Sequence, residues 1–287
     1  MNTKQITQGA MVCAIYGLLL FLNQQTAFFI ESGFSWIFVF PILIYTAKSN
    51  GYAGFICMIA MALETVFFGG FTTWFYSWTS LLIGYVYGLS IQKQWPNGMK
   101  LAITFFFTVI SYALIFTFWA ALFQIDYTTD FEWIHQILPF MNVEAFMGIA
   151  VLFLSLLQTL CIHLIAILIC VRMKIAMRPI KTVVQIQAPK WVGIVSIFIF
   201  IVFFSSLNML EYFKGVQNII LVIFFVDLFI LDYYGTIYLL NRIRKNKKCQ
   251  RQSFWICLGA FTPIVQVVWI LLGELDCLFN LRNKEIR

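Results

Sequence analysis

Glu64, Asp227, Asp232 and His163 sit inside long apolar runs, and they are the positions at which this chain could do chemistry. An ionisable side chain at the centre of a bilayer costs about 2.5–3.5 kcal/mol on insertion scales. Each such group therefore needs a ligand, an ion or a bonded neighbour. Asp227 and Asp232 are five residues apart, so on a helix they point about 140° apart and do not line one narrow pocket. Gln158 and His163 stand in the same relation. The chemistry expected is a polar pocket or cation path built from Glu64 and Asp227, with Gln158 or His163 contributing. The competing expectation is that each carboxyl is neutral or bonded to a neighbouring helix and only fixes packing. Asp232 would then pair with Arg242 or Arg244.

The usual enzymatic signatures are missing. No Gly-x-x-x-x-Gly-Lys-Ser/Thr run occurs, so no P-loop binds ATP, and no His-Glu-x-x-His occurs to hold a catalytic zinc. The chain has only two histidines. Ser35 with His163 as base is the one nucleophile pairing to weigh. Ser35 is expected near the outer end of its segment and His163 in the inner half of its own, too far apart to share a proton. The seven cysteines include no Cys-x-x-Cys pair and mostly fall in apolar runs, where a thiol acts as a small apolar side chain. Neither an enzymatic activity nor a metal or cofactor is expected.

The elements that must position these groups are nine apolar segments: 9–22, 28–46, 52–69, 73–91, 99–123, 146–171, 192–209, 216–240 and 254–273. With 62% hydrophobic and 11% charged residues, the chain cannot cover a soluble domain with charge. Apolar helices of roughly 20 residues cross the hydrocarbon with every backbone group bonded internally. The expected fold is all-α, a polytopic transmembrane bundle of about eight or nine helices. The first segment lacks a strong basic n-region and a cleavage site, so it reads as a retained helix rather than a signal peptide.

The gaps set the orientation. Lys4, Lys48, Lys93, Lys100, Arg172, Lys174, Arg178, Lys181, Lys190 and the cluster Arg242–Arg251 fall on one side. Glu31, Asp126, Asp130, Glu132, Glu144, Glu211 and Lys214 fall on the other. The positive-inside rule then puts the N-terminus in the cytoplasm. Nine crossings would leave Arg282, Lys284 and Arg287 outside, against that rule. The net charge of +7 lies in the gaps, which suits anionic lipid head groups and not nucleic acid. The acidic, aromatic gap at 125–145 could be a lid or an interfacial helix. The basic gap at 172–190, with Pro179 and Pro189, is the expected boundary between a six-helix domain, 1–171, and a C-terminal region of about three helices, 191–287.

The first segment also carries small residues at helical spacing: Gly9, Cys13 and Gly17, beside Ala10 and Ala14. Such rows let another helix approach closely. Ala10-x-x-x-Ala14 is followed by Phe40-Pro41-Ile42-Leu43, Lys48-Ser49-Asn50-Gly51-Tyr52-Ala53-Gly54, Gly69-Gly70 and Gly84-Tyr85-Val86-Tyr87-Gly88. This order resembles the substrate-binding (S) subunits of energy-coupling-factor transporters. More closely, it is similar to the YybS-like family of bacterial membrane proteins, a domain of unknown function. The resemblance covers residues 1–95 best and the rest by length and helix count. It implies a protein of the bacterial cytoplasmic membrane that captures a vitamin-like molecule or other metabolite. It further implies docking through Ala10, Ala14 and Gly17 on a transmembrane coupling subunit driven by separate ATPases. The added helices beyond residue 190 depart from typical S subunits. The alternative expectation is a membrane scaffold or sensor that uses its basic cytoplasmic loops and transports nothing.

Overall fold

The computed structural model describes residues 2–123, 143–179, 186–206, 214–244, 252–260 and 262–281. Among these, every regular element is helical: α1 (Thr3–Gln25), α2 (Phe29–Phe34), α3 (Val39–Lys48), α4 (Gly51–Phe68), α5 (Phe71–Gln92), α6 (Asn97–Phe123), α7 (Val143–Arg172), α8 (Lys190–Ser206), α9 (Lys214–Arg244), α10 (Ser253–Gly259) and α11 (Pro263–Phe279). The acidic gap at 125–145 falls almost wholly outside the described residues, as do Glu211, Lys181, Lys245–Arg251 and the basic tail.

Among the described residues, six helical stretches are long and apolar enough to cross a membrane: α1, the α2–α3 stretch, α4, α6, α7 and α9. The shorter α8 is apolar as well. Large apolar side chains point outward throughout, including Phe67 at 80% exposure and Val171 at 68%. Water would penalise that surface, whereas acyl chains accept it. The architecture is that of a multi-pass membrane protein.

Two of the nine expected segments are each divided in the structure. The stretch at 28–46 is not one helix. It breaks into α2, a 3-10 turn at Ser35–Phe38, and α3. The Ser80 hydroxyl of α5 donates to the freed carbonyl of Ser35 at 3.2 Å, so the break is covered by protein. The stretch at 254–273 also divides. α10 ends at Gly259, and α11 starts at Pro263 and runs on to Phe279. A proline has no N–H and excludes the preceding residue from helical geometry, and Thr262 is extended there (φ −99°, ψ 118°).

The described residues form two compact units. The first gathers those up to 123 with Val151–Pro179; the second gathers 143–150 with those from 186 onward. In the first unit Tyr16, Leu20, Phe38, Ile42 and Met61 form one core. Val39, Leu43, Tyr87, Ile162 and Ala166 form another. The glycines of the sequence pattern are packing devices. A Cβ on Gly84 would lie 2.4 Å from the Val39 carbonyl oxygen, and one on Gly88 would lie 2.8 Å from that of Leu43. α5 thus lies against the backbone of α3. In the second unit Phe203 and Phe224 stack with centroids 4.0 Å apart, joined by Ala145 and Leu221.

Candidate functional site

Each intramembrane polar group can now be placed. Glu64 is on α4, half-buried, with Oε2 enclosed and unbonded. It faces α1: a Cβ on Gly17 would stand 4.0 Å from Oε1. On the same interface the thiols of Cys13 and Cys57 are 3.7 Å apart, while toward α3 a Cβ on Gly9 would sit 3.1 Å from the Tyr45 hydroxyl. The row Gly9, Cys13, Gly17 is therefore turned inward. Ala10 and Ala14 are exposed, beside the exposed Met11, Ile15 and Leu18.

His163 is buried on α7 and its Nδ1 bonds the Tyr87 hydroxyl at 2.6 Å. Ser35 lies in the 3-10 turn, bonded through its carbonyl to Ser80, and makes no hydrogen bond to His163. Gln158 is buried one helical turn and a residue before His163. These groups belong to the first unit.

Asp227 belongs to the second unit and is 4% exposed on α9. The Ser196 hydroxyl of α8 donates to its Oδ2 at 2.7 Å. Glu274 of α11 lies within electrostatic reach of Asp227 and beside the same Ser196 hydroxyl, which donates to Asp227; both Glu274 carboxylate oxygens are buried. Glu274 lines a cleft of about 640 Å³ whose walls are otherwise almost wholly apolar: Ile197, Phe200, Ile201 and Phe204 of α8, Leu231 of α9, and Ile270 and Leu271 of α11. Asp232, one turn further along α9, has Oδ1 buried and unbonded. The helices carrying these groups meet at two glycines. A Cβ on Gly235 would be 1.9 Å from the Trp269 oxygen, and one on Gly273 would be 2.0 Å from the Leu231 oxygen.

An amphipathic guest fits this arrangement. The cleft volume is in the range of small-molecule sites, which pair apolar walls with a few fixed polar groups. Two buried carboxylates served by one hydroxyl in apolar walls call for a cation or a further strong hydrogen-bond donor. Among the described residues no three His, Cys, Asp or Glu side chains converge to hold a metal. No family model, curated protein or solved structure matches the chain.

The roles of two carboxylates are not legible from hydropathy and charge alone. Glu274 fell outside the ninth segment as drawn, because that segment ended at 273 instead of Phe279. Apolar residues at helical spacing, Leu271, Leu275, Leu278 and Phe279, are the signal for the longer helix. Glu31 was counted only as an outer charge. In the structure it is buried and fully bonded. It accepts from Asn23 Nδ2 at 2.8 Å, from the Thr72 hydroxyl at 2.7 Å and from the Thr73 hydroxyl. Its own N–H donates to Asn23 Oδ1 at 3.0 Å. It ties α1, α2 and the start of α5 together. A carboxylate there also suits the helix N-termini of α2 and α5.

Proposed function

We propose that this chain is a membrane substrate-binding or transport subunit, with eight or nine crossings and a cytoplasmic N-terminus, that captures a small vitamin-like molecule or other metabolite. The observation that carries this reading is the Glu274 carboxylate, buried in an apolar cleft where its neighbouring hydroxyl, Ser196, is committed to a second carboxylate, Asp227. The ligand class that matches is a molecule with a cationic or hydrogen-donating head and an apolar body. The cleft lies in the helices beyond residue 190, which typical S subunits lack. Ligand capture would belong to those added helices and partner docking to α1. The exposed Ala10 and Ala14 support docking on a transmembrane coupling subunit served by separate ATPases, in a bacterial cytoplasmic membrane.

The test is native mass spectrometry of protein purified gently from its own membranes. A small molecule should be retained by wild type. Its occupancy should fall at least about tenfold in Glu274→Gln, the loss of one charge-assisted hydrogen bond, and by less in Asp227→Asn, since Asp227 does not line the cleft and acts through Ser196. Glu64→Gln, in the other unit, should leave it in place. Ligand-free protein that carries stoichiometric anionic lipid or cytosolic subunits would replace this reading with the scaffold alternative.

The docking claim has its own test. Ala10→Trp and Ala14→Trp put a large ring on an exposed helix face, so the protein should stay folded and lose co-purifying membrane partners. Unchanged co-purification with both variants would refute docking through α1.

A further inference from the structure

We propose that the Lys100 ammonium and the Arg178 guanidinium together bind a phosphate-bearing anion at the basic end of the first unit. Lys100 is only 1% exposed, and its Nζ is enclosed without a hydrogen-bond partner. A charged group in that state needs a counter-charge, because burial removes its water and nothing in the fold replaces it.

The surroundings add positive charge instead of relieving it. Lys100 is in the first turn of α6, where the helix dipole disfavours a cation and favours an anion. The exposed Arg178 guanidinium lies within electrostatic reach of it. The backbone that presents Arg178 is held in place: Gln94 Nε2 donates to the Ala176 carbonyl at 2.7 Å, and the Ile175 N–H donates to the Cys170 carbonyl at 2.9 Å.

Among the described residues, no acidic side chain of the first unit serves as the missing partner. Lys48, Lys93, Arg172 and Lys174 mark the same end, where α3, α5 and α7 finish and α6 begins. Of the described acids, Glu31 is tied to Asn23, Thr72 and Thr73 at the opposite ends of α1 and α5. Glu64 faces Gly17 from the last part of α4. With no described carboxylate beside the Lys100 ammonium, a bound anion is the partner that lets it keep its charge.

Two cations, one a point charge and one a planar fork, match an anion with several oxygens and more than one partner site. That is a phosphate group rather than a carboxylate. The buried ammonium makes the site specific, and the exposed guanidinium leaves it open to entry. A lipid head group and a free phosphate share this chemistry.

The experiment uses the full-length protein in detergent, with phosphatidylglycerol and inorganic phosphate as probes, read by native mass spectrometry. Wild type should retain phosphatidylglycerol. Lys100→Gln should weaken retention at least about tenfold, and Arg178→Gln about threefold or more. Lys93→Gln, which removes an exposed charge at the same end, should change it less than about twofold. Displacement of the lipid by millimolar phosphate would show that the bare anion suffices. Resistance to phosphate would assign the site to the lipid. Wild-type retention of both probes by Lys100→Gln would overturn the proposal, as would their failure to bind wild type. Should Lys100→Gln not fold, wild-type affinity in the exposed Arg178→Gln overturns it equally.

Discussion

Replacing Gly235 with valine is expected to unfold the second unit at conditions where wild type is stable, at a cost of about 3 kcal/mol or more. The new Cβ would stand 1.9 Å from the Trp269 carbonyl oxygen, and a backbone atom cannot step aside as a flexible side chain can. Ordinary overpacking costs about 1–3 kcal/mol, and here two helix backbones must separate. Gly273→Val should do the same from the other side, since its Cβ would meet the Leu231 oxygen at 2.0 Å. Leu231, Ile270, Leu271 and Glu274 line the cleft, so both variants should also lose ligand. Gly215→Ala is the control. Nothing lies within 4 Å of its added Cβ, so stability should move by less than about 0.5 kcal/mol. The measurement is denaturant-induced unfolding in detergent, and an unaltered midpoint for Gly235→Val would refute the close crossing.

Glu31→Ala should be nearly as damaging, by about 3–5 kcal/mol. It strips the acceptor from Asn23, Thr72 and Thr73, of which Asn23 and Thr73 are almost completely buried. Each orphaned buried group costs about 1–3 kcal/mol. Glu31→Gln separates hydrogen bonding from charge. Its carbonyl oxygen can replace the Oε2 that receives Asn23 and Thr73, and the Thr72 hydroxyl can turn to accept from the new amide. The expected cost is therefore only about 1 kcal/mol. If glutamine proves as harmful as alanine, the charge at the two helix N-termini is what matters, and the hydrogen-bond account fails.

The positions of the helices were largely legible in the sequence. The segments at 52–69 and 73–91 correspond to α4 and α5 within two residues, because turn residues such as Ser49-Asn50-Gly51 and Gly69-Gly70 bracket them. α1 begins earlier than its apolar run because Gln5 accepts the Asn2 N–H and starts the helix among polar residues. The break at Ser35–Phe38 was hidden. Ser-Trp-Ile-Phe is still mostly apolar, and hydropathy measures transfer cost, not backbone geometry. Pro263 did announce the break before α11, but the surrounding apolar run outweighed it.

The candidate site was less legible. Burial cost singled out Asp227 and Glu64 from composition alone. Their partners, Ser196 for one and the Gly17 face for the other, come from elements distant in the chain, and no spacing rule reports them. Lys100 was counted as one more charge of a basic gap. Only packing shows that it is enclosed. The small-residue rows on α1 looked equivalent in sequence, and the fold separates them: one is spent on α3 and α4 and the other is left outward.

The interrupted helix pair α2–α3 has a consequence for biogenesis. A continuous helix can enter the bilayer alone, because its backbone is complete in itself. The stretch Phe29–Lys48 is not complete. Its Ser35 carbonyl is capped by Ser80, and its Glu31 is capped by Thr72 and Thr73, all on α5. Until α5 leaves the ribosome, this stretch holds unsatisfied groups that lipid cannot serve. The α1–α5 unit must then be inserted as a package, and truncation before α5 should leave a chain that quality-control proteases clear.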